Sequence, residues 1–134
     1  MITEKTKKEL IDTAVQARLK AYAPYSEYKV GAALLSKGGE CYSGCNIENA
    51  VYPVTICAER VAVFKAIYEG DMEFKAIAVV TSNGGSPCGS CRQVLAEFGL
   101  DTRVLIANEQ GQLVNEMSVG DLLPEAFGHQ DLPD

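Results

Sequence analysis

The clearest early pattern is a helical one. Leu10, Ile11, Ala14, Val15, Leu19 and Tyr22 recur on one face, the repeat of an amphipathic helix. Thr6 with Glu9 three residues on predicts a capping box at its start, and Pro24 predicts its end. Residues 28–35 then read as a strand, 37–40 with two glycines as a turn, and 41–46 as the returning strand of a hairpin. From 47 to 56 the period is lost and Pro53 intervenes, so a loop is expected. Residues 57–69 read as a helix ended by Gly70, and apolar side chains occupy most of its sides: Ala58, Val61, Ala62, Val63, Phe64, Ala66, Ile67 and Tyr68. A helix apolar all round is buried all round. In so short a chain, that predicts a subunit interface.

Residues 76–81 (AIAVVT) suit a central strand, and 82–87 (SNGGSP) a loop. Residues 88–98 read as a third helix with Val94, Leu95 and Phe98 inward. Strands are expected at 103–107 and 112–115, and Ser118 with Asp121 opens a last helical turn near Pro124. The order α-β-β-α-β-α-β-β-α predicts an α/β fold, helices packed on a mixed sheet.

The chain has 134 residues, 47% hydrophobic and 22% charged, which predicts one ordinary globular domain over 1–134. Twelve basic against eighteen acidic residues leave a net charge of −6. An acidic field opposes phosphate backbones and anionic lipid, so neither a nucleic-acid polymer nor a membrane is an expected partner. No run approaches the roughly 18 apolar residues of a membrane span. The opening MITEKTKKEL lacks the apolar region of a secretory signal. A cytoplasmic setting is therefore expected. Five cysteines in such a compartment read as ligands, catalytic thiols or core filler before disulfides.

Three of those cysteines stand where helices are expected to begin. Cys88 and Cys91 form P-C-G-S-C, whose i, i+3 spacing puts both sulfurs on one side of a first turn. Cys57 opens the preceding helix, followed by Glu59 and Arg60. Unpaired amides at a helix start favour thiolate, the form that binds zinc. Helices that follow parallel strands start along one sheet edge, so Cys57 can meet Cys88 and Cys91. Three ligands leave the fourth position of zinc to water, as in catalytic sites, and bound zinc lowers that water's pKa toward about 7. Three thiolates and Zn²⁺ sum to one excess negative charge, which Arg60 and the helix starts can offset. Glu59 is the candidate proton shuttle.

Other readings compete. A lone C-x-x-C also serves structural zinc corners, with Cys41 or Cys45 as a conceivable fourth ligand, though C-x3-C on a strand makes poor zinc geometry. A thioredoxin-like redox pair also begins a helix, but leaves Cys57-Ala58-Glu59 without a role. His129, the single histidine, falls in a polar tail, which disfavours Ser-His-Asp or Cys-His hydrolysis and leaves a carboxylate as the base.

A Cys-x-Glu followed by Pro-Cys-x-x-Cys is the signature of zinc nucleobase deaminases. Together with AYAPYSEYKVGAALL (21–35), GCNIENA (44–50), CAER (57–60), PCGSCRQV (87–94) and LLPEAF (122–127), the chain closely resembles the small homotetrameric cytidine deaminases over nearly its whole length. The resemblance implies a three-layer α/β/α fold with a mixed five-stranded sheet and one zinc per subunit on Cys57, Cys88 and Cys91. It implies hydrolytic deamination of cytidine and 2′-deoxycytidine in pyrimidine salvage: zinc-bound hydroxide attacks C4 while Glu59 shuttles protons. It further implies that Asn46 and Glu48 bind the ribose hydroxyls and that Tyr28, at a position usually Phe, stacks on the pyrimidine. Ala50 and Tyr52 would line the sugar end across a subunit interface, and Phe127 would reach into a neighbour's site. Taken alone, Asn46 and Glu48 would be an ordinary polar loop and Phe127 a core plug. Thr55 stands where some relatives carry a further cysteine, and Arg60 is not universal among them. A deaminase of a nucleoside antibiotic such as blasticidin S is the rival within the same chemistry; a non-enzymatic zinc or redox module is the rival outside it.

Overall fold

The computed structural model describes residues 2–133. Five strands form one sheet in the order β2-β1-β3-β4-β5: β1 Gly31–Ser36, β2 Cys41–Cys45, β3 Phe74–Val80, β4 Arg103–Ala107 and β5 Leu113–Ser118. β1 is antiparallel to both β2 and β3, β3 and β4 are parallel, and β5 returns antiparallel to β4. The mixed five-stranded α/β architecture expected from the sequence is the one observed.

The central strands are buried on both faces, which is why they read as unbroken apolar runs. Alternation sorts their side chains. Ala33, Ala76, Ala78, Val80, Leu105 and Ala107 face helix α1 (Glu4–Arg18) through Leu10, Ile11 and Ala14. Ala32, Leu34, Ile77, Val79, Val104 and Ile106 face α2 (Ala58–Tyr68) and α3 (Gly89–Glu97) through Ala58, Ala62, Val63, Ala66 and Leu95. The result is three layers. Two glycines allow the helices to lie this close. A Cβ on Gly31 would sit 2.1 Å from the Ala14 carbonyl oxygen, and one on Gly44 2.5 Å from that of Ala58.

Several boundaries differ from the sequence reading. α1 starts earlier, with Thr3 as its cap: Thr3 Oγ1 accepts from the Thr6 amide at 3.1 Å, so Thr6 and Glu9 lie inside the helix. It also ends earlier than Pro24. The Tyr22 amide donates to Asn46 and the Tyr22 carbonyl accepts from Glu48, and this pairing draws the chain out of the helix. Leu19 and Tyr22, expected on the buried face, are exposed for that reason. β1 begins at Gly31 rather than Tyr28, because the Asn46 side chain bonds the 28–30 backbone in place of a strand partner. β3 starts earlier, at a buried Phe74. The edge strand β5 runs on to Ser118, where Ser118 and Asp121 cap α4 (Val119–Leu122) reciprocally at 3.0 Å. The outer side of α2 keeps Phe64 and Tyr68 exposed. Among the described residues no helix is long and apolar enough to cross a membrane.

Candidate active site

β2 and β3 flank β1 and both run antiparallel to it, so they point the same way. α2 follows the first and α3 the second. Their N-termini therefore open at one sheet edge, with Cys57 as the cap of α2 and Cys88 as the cap of α3. The sulfurs of Cys57, Cys88 and Cys91 all lie within 4.8 Å of one another, and Cys57 Sγ is 3.8 Å from Cys88 Sγ. Sulfurs on a tetrahedral zinc with bonds of ~2.3 Å are ~3.8 Å apart. The donor set thus fits zinc in both chemistry and spacing, with one coordination position open. Cys41 and Cys45 do not join the group.

The electrostatics follow from the same geometry. The neighbouring Cys91, with Arg60 adding its charge, draws the Cys57 thiol down from 9.0 to about 5. Cys91, beside Cys57 and buried, is pushed up. Arg60 Nη2 donates to Cys57 Sγ at 3.1 Å. Its Nε is buried without a partner among the described residues. Glu59, 4% exposed, is pushed up from 4.5 to about 7, chiefly by burial.

A cavity of about 290 Å³ opens over this group, lined by Glu59, Cys57 and Cys88 together with Tyr28, Asn46 and Glu48. The family model for the cytidine and deoxycytidylate deaminase zinc-binding region matches residues 4–107. The chain belongs to this deaminase family. It is 52% identical over 128 residues to a cytidine deaminase of Halalkalibacterium halodurans, covering 93% of this chain and 96% of the relative. It is 50% identical over 127 residues to that of Sporosarcina psychrophila, covering 92% and 93%. A crystal structure of cytidine deaminase from Burkholderia pseudomallei superimposes with a TM-score of 0.85 at 49% identity, covering 94% of this chain and all of that one. A blasticidin-S deaminase of Bacillus cereus is more distant, 32% identical over 126 residues and covering 87% and 88%.

The other residues singled out from this deaminase's sequence fall into two sets. Asn46 is buried; its Oδ1 accepts from the Val30 amide at 2.9 Å and its Nδ2 donates to the Tyr28 carbonyl at 2.8 Å. That leaves one N–H and one lone pair for a ligand. Glu48 accepts from the Tyr25 and Ser26 amides at 2.9 and 3.1 Å and from the Ser26 hydroxyl, and the Ser26 contact holds it below the usual carboxylate value. Ala50, Tyr52 and Phe127 are outside the cavity of the single chain. Tyr52 lines a neighbouring depression of about 370 Å³ with Tyr25, Ser26, Glu48 and Thr55.

Sequence reasoning missed what anchors the Phe127 segment. Arg92 Nε donates to the Pro87 carbonyl at 2.8 Å and Nη1 to the Leu122 carbonyl at 2.9 Å, while Gln93 Nε2 donates to the Phe127 carbonyl at 2.9 Å. Their only signal was adjacency to Cys91 in the motif. Ser26, within 21–35, likewise carries no signal of its own in the sequence. It sits before Glu27, whose φ of 58° turns the chain sharply, a rare conformation outside glycine.

Proposed function

We propose that this chain hydrolytically deaminates cytidine and 2′-deoxycytidine to uridine and 2′-deoxyuridine with release of ammonia, Glu59 carrying the protons. One observation supports this above all: a buried carboxylate lines one small cavity with two of three clustered, zinc-fitting sulfurs. Bound zinc supplies a Lewis acid that lowers the pKa of water toward about 7, making it a nucleophile for C4 of the pyrimidine. Glu59 does the proton work. It accepts one proton from the attacking water and delivers it to N3. As the C4–N bond breaks, it passes the second water proton to the amino nitrogen, which leaves as ammonia; the water oxygen remains as the C4 carbonyl. Glu59 starts and finishes ionised, so one carboxylate serves both transfers.

Around this centre, Arg60 offsets thiolate charge through its bond to Cys57. Tyr28 offers its ring to the pyrimidine, and Asn46 and Glu48 bind the ribose hydroxyls. Glu48, held ionised by Ser26, is a strong acceptor for them. A cavity of this size takes a nucleoside rather than a strand. Ala50, Tyr52 and Phe127 act across an interface in a homotetramer with shared sites, one zinc per subunit. The exposed Phe64 and Tyr68 of α2 support that assembly. Five free cysteines accord with a cytoplasmic salvage enzyme.

Incubation with the zinc-loaded protein is expected to remove the ultraviolet band of cytidine with matched ammonia release, and chelation of zinc to abolish both. Preferential conversion of blasticidin S would overturn the substrate assignment. Release of no ammonia from either substrate would leave a non-enzymatic zinc module.

A further inference from the structure

Tyr28 brings a hydroxyl as well as a ring to the cavity, and the structure gives that hydroxyl a dedicated seat. It donates to Oδ1 of Asn83 at 2.7 Å. The same oxygen accepts from Thr81 Oγ1 at 3.3 Å, and Thr81 Oγ1 accepts from the Gly85 amide at 2.7 Å. Thr81 is 3% exposed and directly follows β3, so the set is rooted in the sheet. Gly85 stands against the hydroxyl. A Cβ there would lie 2.5 Å from Tyr28 Oη, whereas its next neighbours, Asn83 Oδ1 and Thr81 Oγ1, would be 3.7 Å away. Gly85 is not in the left-handed region, so the hydroxyl is the atom that a side chain there would have to displace. Tyr28, Thr81 and Gly85 line the cavity with Cys57, Glu59 and Cys88. Asn83 is exposed and does not line it.

We propose that Asn83 is the positioning residue for the Tyr28 ring. It seats the ring against residues 81–87 at the separation Gly85 permits, setting the width of the pyrimidine slot and tying it to the segment that delivers Cys88. This rests on the reading of Tyr28 as the residue that stacks on the pyrimidine. An untethered tyrosine samples several rotamers. A ring already held in its bound orientation removes that ordering cost from binding. Neither Asn83 nor Gly85 touches Glu59 or the sulfurs, so the effect belongs in KM rather than kcat.

The test compares kcat and KM for cytidine, zinc content and Tm across variants of the zinc-loaded protein. Asn83→Ala is expected to raise KM about three- to tenfold, the scale of one hydrogen bond, with kcat and zinc content close to the parent's. Asn83→Asp keeps the acceptor and should restore KM. Gly85→Ala should raise KM by displacing the hydroxyl, and adding Tyr28→Phe should return KM to that of Tyr28→Phe alone. A Gly85→Ala defect that Tyr28→Phe does not relieve overturns the proposal. So does an Asn83→Ala effect seen in Tm with KM unmoved, a result that decides the matter even if Gly85→Ala fails to fold. Tyr28→Ala separates the two levels: an unchanged KM removes the stacking role itself, whereas a raised KM beside unresponsive Asn83 variants removes only the tether.

Discussion

The two ends of the cavity are built differently. At the metal end, every group comes from one chain: three sulfurs at two helix starts, of which Cys91 is buried and Cys88 exposed, a buried Glu59, and Arg60 fastened to Cys57. Tyr52 and Phe127, which the proposed function assigns to the sugar end, are 68% and 56% exposed, Tyr52 on the 3-10 turn Tyr52–Val54 and Phe127 on a terminal segment whose carbonyl accepts from Gln93. The contrast follows from what each end must do. Charge development and proton transfer require groups placed in advance in a dry setting. Recognition of a sugar face, the task proposed for the other end, tolerates surface elements.

The sharpest probe of that contrast is Glu59→Gln, which keeps a group of the same shape at the metal end. Zinc content and fold should be retained while kcat falls by about 10²–10⁴; metal analysis beside turnover checks it, and substantial retained activity would sink the assignment of Glu59. Arg60→Gln removes the positive charge beside Cys57 and should cost about 10–100-fold in zinc affinity or activity, as loss of an outer partner of a metal ligand does. A chelator competition reads the affinity directly. At the other end, Phe127→Ala should raise KM by about tenfold and leave zinc bound. Dilution that dissociates the proposed homotetramer should likewise reduce activity per subunit without releasing metal. Equal loss of both would erase the distinction between the ends.

The smallest effect lies remote from both. Glu116, paired with Lys7 at 2.9 Å and Arg103 at 3.4 Å, is held below its ordinary 4.5 mainly by Lys7. Its contribution is complete above pH 4.5 and fades as pH falls through its lowered folded-state value. Glu116→Gln should lower Tm by no more than about 4 °C at neutral pH, with the gap closing in acid and kcat unchanged.

Much of the fold was legible because periodicity survives where one force dominates. The doubly buried strands and the apolar α2 could be read from hydrophobicity alone, and the Ser118–Asp121 cap from local chemistry. The end of α1 could not, because Tyr22 pairs with Asn46 and Glu48, partners more than twenty residues away. The start of β1 lies later than the apolar run implies for a related reason: the Asn46 amide stands in for a strand over residues 28–30. Likewise Asn83 and Arg92 act through bonds to distant residues, which no local pattern marks.

The sequence alone determined the kind of chemistry. Cys57-x-Glu59 and Cys88-x-x-Cys91 lie within single helical turns, and spacing inside a turn is a short-range property of the backbone. Tertiary structure decided everything that depends on two segments meeting. β2 and β3 run the same way on either side of β1, which brings Cys57 to within 3.8 Å of a sulfur 31 residues on. Burial under the sheet edge then raises the Glu59 pKa, and a loop 55 residues away supplies the seat for the Tyr28 hydroxyl. Those contacts arise from packing the whole core at once.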